Sequence, residues 1–257
     1  MRTHNNGFSL IELSIVLVIL GLLAGGVMTG QALIRSSELR SVTTELTNYT
    51  TASNLFMQKY FALPGDMPDA TAYWGQFPDG CPAGVGGIGK QTCNGNGDGL
   101  VMPPTAANLA GERYTFWQHL ANAQMISGQY TGRAGPAGEH DTLFGVNVPL
   151  AKLSGGGWSV LEWSNVTGNA WYFDGNYNRT LTFGRDGAAS GNNIGIFTTE
   201  EAYNIDRKID DGIPNMGTVW NIQWDACTDA TSGADTTATY LLNDTNIRCA
   251  LVFRNSF

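Results

Sequence analysis

The chain has 257 residues, a formal net charge of −8, only 14% charged residues and 33 glycines. That length allows one sizeable domain, or at most two small ones, beyond any membrane segment. Of the acidic residues only Glu12, Glu38 and Glu45 precede Phe61. The negative charge therefore sits in the later part of the chain, where it repels phosphate backbones and anionic headgroups, and nucleic-acid binding by broad electrostatics is not expected.

Between Phe8 and Met28 the one charged residue is Glu12, among Leu, Ile, Val, Ala and Gly. As a helix this run is about 31 Å long, enough to cross the hydrocarbon core of a bilayer. A carboxylate inside such a helix costs roughly 2.5–3.5 kcal/mol, so it calls for a function. A secretory signal peptide has a shorter apolar region and ends at a small-residue cleavage site, for which Ala24-Gly25-Gly26 is a poor candidate. An ordinary single-span anchor is disfavoured by Glu12.

Gly7, then Phe8, then Glu12 inside an otherwise uncharged segment resembles the N-terminus of type IV prepilins and type II secretion pseudopilins. The resemblance implies cleavage between Gly7 and Phe8 by a membrane prepilin peptidase, N-methylation of Phe8, and a role for Glu12 in filament assembly. It also implies other pilin or pseudopilin subunits as partners, and a single-pass inner-membrane precursor that passes into a periplasmic or cell-surface filament. The leader carries only Arg2 and His4 where several basic residues are common. The expected organisation is a leader at 1–7, a membrane or filament-core helix at 8–28, its continuation at 29–61 and a globular domain at 62–257.

Past the span, Leu39, Val42, Leu46, Tyr49, Ser53, Phe56 and Tyr60 recur at helical spacing, with Arg40, Glu45, Asn48 and Lys59 off that stripe. One helix from about Phe8 to Phe61 is expected to end at Leu63-Pro64-Gly65-Asp66. Gly21, Gly25, Gly26 and Gly30 are weak points in it, suited to close helix packing or to local unwinding.

A glycine-rich irregular stretch runs to about Pro104. Within it, Asn94, Asn96 and Asp98 alternate with glycine, like the first half of a calcium loop. Thr105 stands where a bidentate Glu belongs, and Asn-Gly and Asp-Gly are also plain turn formers. Calcium at Asn94, Asn96 and Asp98 is the one cofactor the sequence suggests, with a tight turn as its competitor.

Glu112 to Ile126 has helical periodicity, and His119 lies off its apolar face as a hydrogen-bonded structural residue. Trp158–Trp163, Trp171–Phe173, Leu181–Phe183, Thr218–Trp224 and Arg248–Phe253 are strand-like. Aromatic clusters among them suit sugar binding or, more commonly, core packing. Thr198 to Glu201 fits a capping box opening a helix that runs to Asp210 or Asp211. Asp206, Asp210 and Asp211 crowd its C-terminus; they could ligate a cation, with a solvated acidic helix end as the default, and because acid there opposes the helix dipole a compensating cation or donor is to be looked for.

Cys81, Cys93, Cys227 and Cys249 all follow the span, and an even count in a translocated domain predicts two disulfides. Three pairings exist; Cys81–Cys93 with Cys227–Cys249 closes the shortest loops and is the expected one. The second pair resembles in position the C-terminal loop of pilins, which often forms an exposed variable surface.

The sequence thus predicts an α+β fold, a long N-terminal helix packed on an antiparallel sheet with large loop insertions. The implied function is structural: a subunit of a type IV pilus or pilus-like filament, with a minor pseudopilin or an adhesin exported by the same route as alternatives. No nucleophile elbow, metal-ligand cluster or paired acid/base carboxylates point to an enzyme.

Overall fold

The computed structural model describes residues 9–257, apart from 79, 82–88, 104–109, 188–190 and 223. Its first element is one helix, α1 (Leu10–Tyr60), of 51 residues, about 77 Å long at 1.5 Å per residue. Ser9 caps it in a reciprocal box with Glu12, and no proline falls within it. Phe61 ends it in the left-handed region at φ 54°, its N–H bonded to the Met57 carbonyl.

The chain then turns sharply. Gly65 has φ +87° and lies so close to α3 (Glu112–Asn122) that an added Cβ would sit 2.4 Å from the Glu112 carbonyl oxygen. Only glycine fits there. Helix α2 (Ala70–Trp74) follows, then the loop joined by the Cys81–Cys93 disulfide. The periodicity predicts helix to Ile126, but α3 stops at Asn122. Gln124 takes φ +61°, its N–H bonds the Ala121 carbonyl and the Met125 N–H bonds the Leu120 carbonyl. That is a Schellman stop, and its left-handed residue is not a glycine, so composition did not announce it.

Five antiparallel strands form the sheet: β1 (Gly157–Val166), β2 (Gly175–Gly184), β3 (Phe197–Thr198), β4 (Val219–Ile222) and β5 (Ile247–Phe253). β1 pairs β2, and β5 pairs β2, β3 and β4, so the last strand is the central one. Helix α4 (Thr199–Ile209) opens at Thr198 with both bonds of the expected capping box, and the short α5 (Trp224–Cys227) follows β4. Trp171–Phe173 is not a strand. Asn169 Oδ1 accepts the N–H groups of Trp171 and Tyr172, which folds the segment into a turn and leaves a single bridge from Tyr172 to Ile222.

The sheet is covered on both faces. On one, α1 and α3 enclose Val42, Phe56, Trp117, Trp158, Phe183 and Leu251. Tyr49 of α1 sits edge-on to both Trp117 and Trp158, at centroid distances of 5.1 and 5.6 Å. On the other, Tyr177, Trp220, Ala250 and Val252 pack with Phe173 and Ala238. The result is an α+β architecture with a long apolar N-terminal helix laid on an antiparallel sheet, as in pilins.

Candidate functional site: the N-terminal stem and its attachment

The first half of α1 touches nothing else in the described structure. Every residue from Leu10 to Met28 is exposed. A Cβ built on Gly21, Gly25, Gly26 or Gly30 meets no atom within 4 Å, leaving room for a helix of another subunit to approach closely. Aliphatic surface on this scale in water marks a face built for lipid or for other subunits. Gly7 and Phe8 lie outside the described residues. Just beyond them, the Glu12 carboxylate accepts the Ser9 N–H at 2.8 Å, while Ser9 Oγ accepts the Ile11 N–H at 3.3 Å. The acid thus occupies the positive end of its own helix dipole.

The second half of α1 is fastened to the domain at two polar points. Arg35 forms a two-toothed pair with Glu201, Nε to Oε1 at 2.7 Å and Nη2 to Oε2 at 2.6 Å, and also donates to the Ile196 carbonyl. Burial works against the Glu201 charge, but Arg35 and the Thr198 N–H together hold its carboxyl below the usual range. The second point is Glu45, which the periodicity places off the packing stripe. The structure buries it: Oε2 accepts the indole N–H of Trp158 at 2.8 Å and Oε1 accepts the Lys152 N–H at 3.0 Å. Both donors come from the sheet side of the fold, so Glu45 pins the stem across the core.

The glycine-rich segment is organised by carboxylates from elsewhere in the chain. Asp66 accepts the N–H groups of Gly97, Asp98 and Gly99, and Glu112 accepts those of Asn96 and Met102. Asn94 Oδ1 accepts the Thr71 N–H, Asn96 Oδ1 the Asp98 N–H, and Asp98 Oδ1 the Leu100 N–H. Oxygens of Asp66, Asp98 and Glu112 lie within 4.8 Å of one another. Asn94, Asn96 and Asp98 thus each accept a backbone N–H in this fold, and Thr105 lies outside the described residues. His119 is fully buried; its Nδ1 accepts the Gly65 N–H at 3.0 Å, so its proton is on Nε2, facing Thr92 Oγ1 and the Cys93 carbonyl. Burial pushes it down to about 4.

At the end of α4 the acids find donors. Asp210 accepts the N–H groups of Thr218 and Val219, and Asp211 that of Ile213. Asp206 accepts the Gly212 N–H and, at 2.9 Å, the hydroxyl of Tyr240. Tyr240 belongs to the loop closed by the Cys227–Cys249 disulfide, so α4 holds that loop through a buried hydrogen bond.

Residues 2–28 match the family model of the prokaryotic N-terminal methylation motif. The chain carries a prepilin-type N-terminus. This segment is the cleavage and methylation signal of type IV pilins and pseudopilins, and it marks an exported pilin-like or pseudopilin-like subunit. It implies processing by a prepilin peptidase and association with other subunits at the membrane. No curated protein and no solved structure matches the chain.

Proposed function

We propose that the chain is a structural subunit of a type IV pilus or pilus-like filament, cut between Gly7 and Phe8, methylated on Phe8 and assembled from the inner membrane. The observation that carries this reading is the bare apolar half of α1 under a methylation motif, with Glu12 as its one acid. In lipid, the aliphatic surface of Leu10–Met28 is solvated by acyl chains; in a filament it is solvated by neighbouring helices. Both environments accept the same side chains, so the helix can pass from one to the other at little cost, and the paired carboxylate fixes where it stops.

Cleavage places a cationic methylated amine a few residues from Glu12. In a core of low dielectric, such a pair is little screened. A growing filament can thus draw in a subunit by matching its acid to an amine, its own or its neighbour's. Mass spectrometry of the membrane and fibre fractions tests the processing step. The expected chain starts at Phe8 with one added methyl group, and Gly7→Val blocks its formation. A mature chain starting near Gly26 or Val27 would instead indicate ordinary secretion.

A further inference from the structure

A cleft of about 410 Å³ opens beside β1, far in sequence from the stem, lined among others by Met102, Arg113, His140, Glu162, Trp163 and Tyr172. Its volume falls in the usual range for small-ligand sites. Among the residues that line it, three polar atoms are buried without a hydrogen-bond partner among the described residues: Arg113 Nε, Glu162 Oε1 and Asn193 Oδ1, the last of them facing Gly187. Arg113 is 8% and Glu162 5% exposed. Leaving one such atom unpaired costs roughly 1–3 kcal/mol, and folded proteins keep few of them without a use.

The site is also held in shape. Glu162 Oε2 accepts the Arg179 N–H at 2.9 Å. Arg179 has φ +48° and sits where the β1–β2 register slips by one residue, between the pairs Leu161↔Thr180 and Trp163↔Tyr177. This bulge fixes one carboxylate oxygen and leaves the other over. Arg113 Nη1 lies 3.1 Å from His140 Nδ1, which fixes the guanidinium. Trp163 is 42% exposed and stands at 72° to Tyr172, with centroids 5.9 Å apart, so an indole is presented to solvent on a braced support. Behind the cleft a cell of about 20 Å³, lined by Arg113, Asn192 and Asn193 among others, is large enough for one water.

We propose that this cleft binds a neutral sugar ring. A hydroxyl both donates and accepts, so one hydroxylated ring can satisfy an unpaired donor, Arg113 Nε, together with an unpaired acceptor, Glu162 Oε1, once these buried groups turn towards the cleft. An anion would meet the Glu162 carboxylate and a cation the Arg113 guanidinium, whereas a neutral ligand meets both without repulsion. The C–H face of a pyranose suits the exposed indole of Trp163, which offers apolar area at small entropic loss. The inference does not depend on which kind of filament the chain joins.

The test uses the full chain in micelles of a detergent without a sugar head, such as lauryldimethylamine oxide. Saturation-transfer NMR and tryptophan fluorescence are recorded with methyl glucosides, galactosides and mannosides, N-acetylglucosamine and glucuronate. The expected result is saturable, roughly millimolar binding of at least one neutral sugar. That binding weakens about tenfold or more in both Trp163→Ala and Glu162→Gln, and glucuronate binds less well than the neutral sugars. Trp163 is exposed enough to be replaced without disturbing the core, so Trp163→Ala reports on the site even if Glu162→Gln lowers stability. No saturable binding of any neutral sugar at roughly 100 mM, binding unchanged in Trp163→Ala, or tighter binding of glucuronate would overturn the proposal.

Discussion

Replacing Glu45 with Ala removes the acceptor of a buried donor, the Trp158 indole, and of a part-buried one, the Lys152 amide. A stranded buried donor costs roughly 1–3 kcal/mol and the amide of the exposed Lys152 can turn to water, so Glu45→Ala should destabilise the full chain by about 1–3 kcal/mol, and Glu45→Gln, which keeps one acceptor, by about half as much. Denaturant unfolding in micelles measures this, and a loss under about 0.5 kcal/mol for Glu45→Ala would show that the carboxylate is not a pin. Hydropathy spacing reads a glutamate as solvent-facing, and its partners lie 107 and 113 residues away, so no local pattern could have found it. Asp206 offers a second test. Burial raises its carboxyl from 3.8 to about 7. The folded chain then holds a proton that the unfolded chain releases, so this group's contribution is complete below pH 3.8 and is lost as the pH rises to about 7. His119 has the opposite sign. Its value is lowered from 6.5 to about 4, so its contribution is complete above 6.5 and is lost as the pH falls towards 4. Asp206→Asn isolates the first effect, because its Oδ1 can accept the Gly212 N–H and its Nδ2 can donate to the Tyr240 oxygen. Between pH 5 and pH 8 the variant should gain roughly 2–3 kcal/mol relative to the parent. Parallel pH profiles for the two proteins would contradict this.

At the level of elements, the unbroken apolar run, the absence of proline before Pro64 and the capping box at Thr198–Glu201 made α1 and α4 legible. Alternation at Trp158–Trp163 likewise made β1 legible, and the strand-like runs Leu181–Phe183, Thr218–Trp224 and Arg248–Phe253 fall on β2, β4 and β5. What escaped was decided by side chains acting at a distance or by non-glycine turns. Asn169 takes the amides of Trp171 and Tyr172 out of any ladder, Gln124 stops α3 early, and β3 has only two residues. Cys227 and Cys249 were visible, but not that their loop leans on Asp206 through Tyr240. In the chain-entropy description a loop of 22 residues is stabilised by about 3 kcal/mol when its ends are joined. Cys227→Ser should therefore lower the melting midpoint of the exported protein and the amount that survives export, and free thiols in the native parent would refute the pairing. The turn at Asn94–Gly99 is stitched by backbone amides to Asp66 and Glu112. We expect the melting midpoint to be the same with millimolar calcium and with chelator. A rise with calcium that Asp98→Ala abolishes would establish the ion instead.

As a whole, the molecule is a domain on a stem whose upper half is built into the core and whose lower half is bare. The motif at the N-terminus was readable because its function constrains residue types at fixed positions, and an acid in an apolar helix stands out in any reading. The sugar-sized cleft was not readable, since Arg113, Glu162 and Asn193 meet only through the fold. The central claim is that the bare helix joins other subunits through Glu12. Glu12→Leu removes a costly charge, so membrane insertion should hold or improve, and cleavage should continue because Gly7 and Phe8 are unchanged. Glu12→Asp, with its shorter reach, should retain part of the function. The most direct measurement is the amount of this subunit in sheared fibres, determined by quantitative mass spectrometry for the parent and each variant at matched membrane levels. The account predicts a sharp fall for Glu12→Leu and an intermediate value for Glu12→Asp, and undiminished incorporation of Glu12→Leu would contradict it.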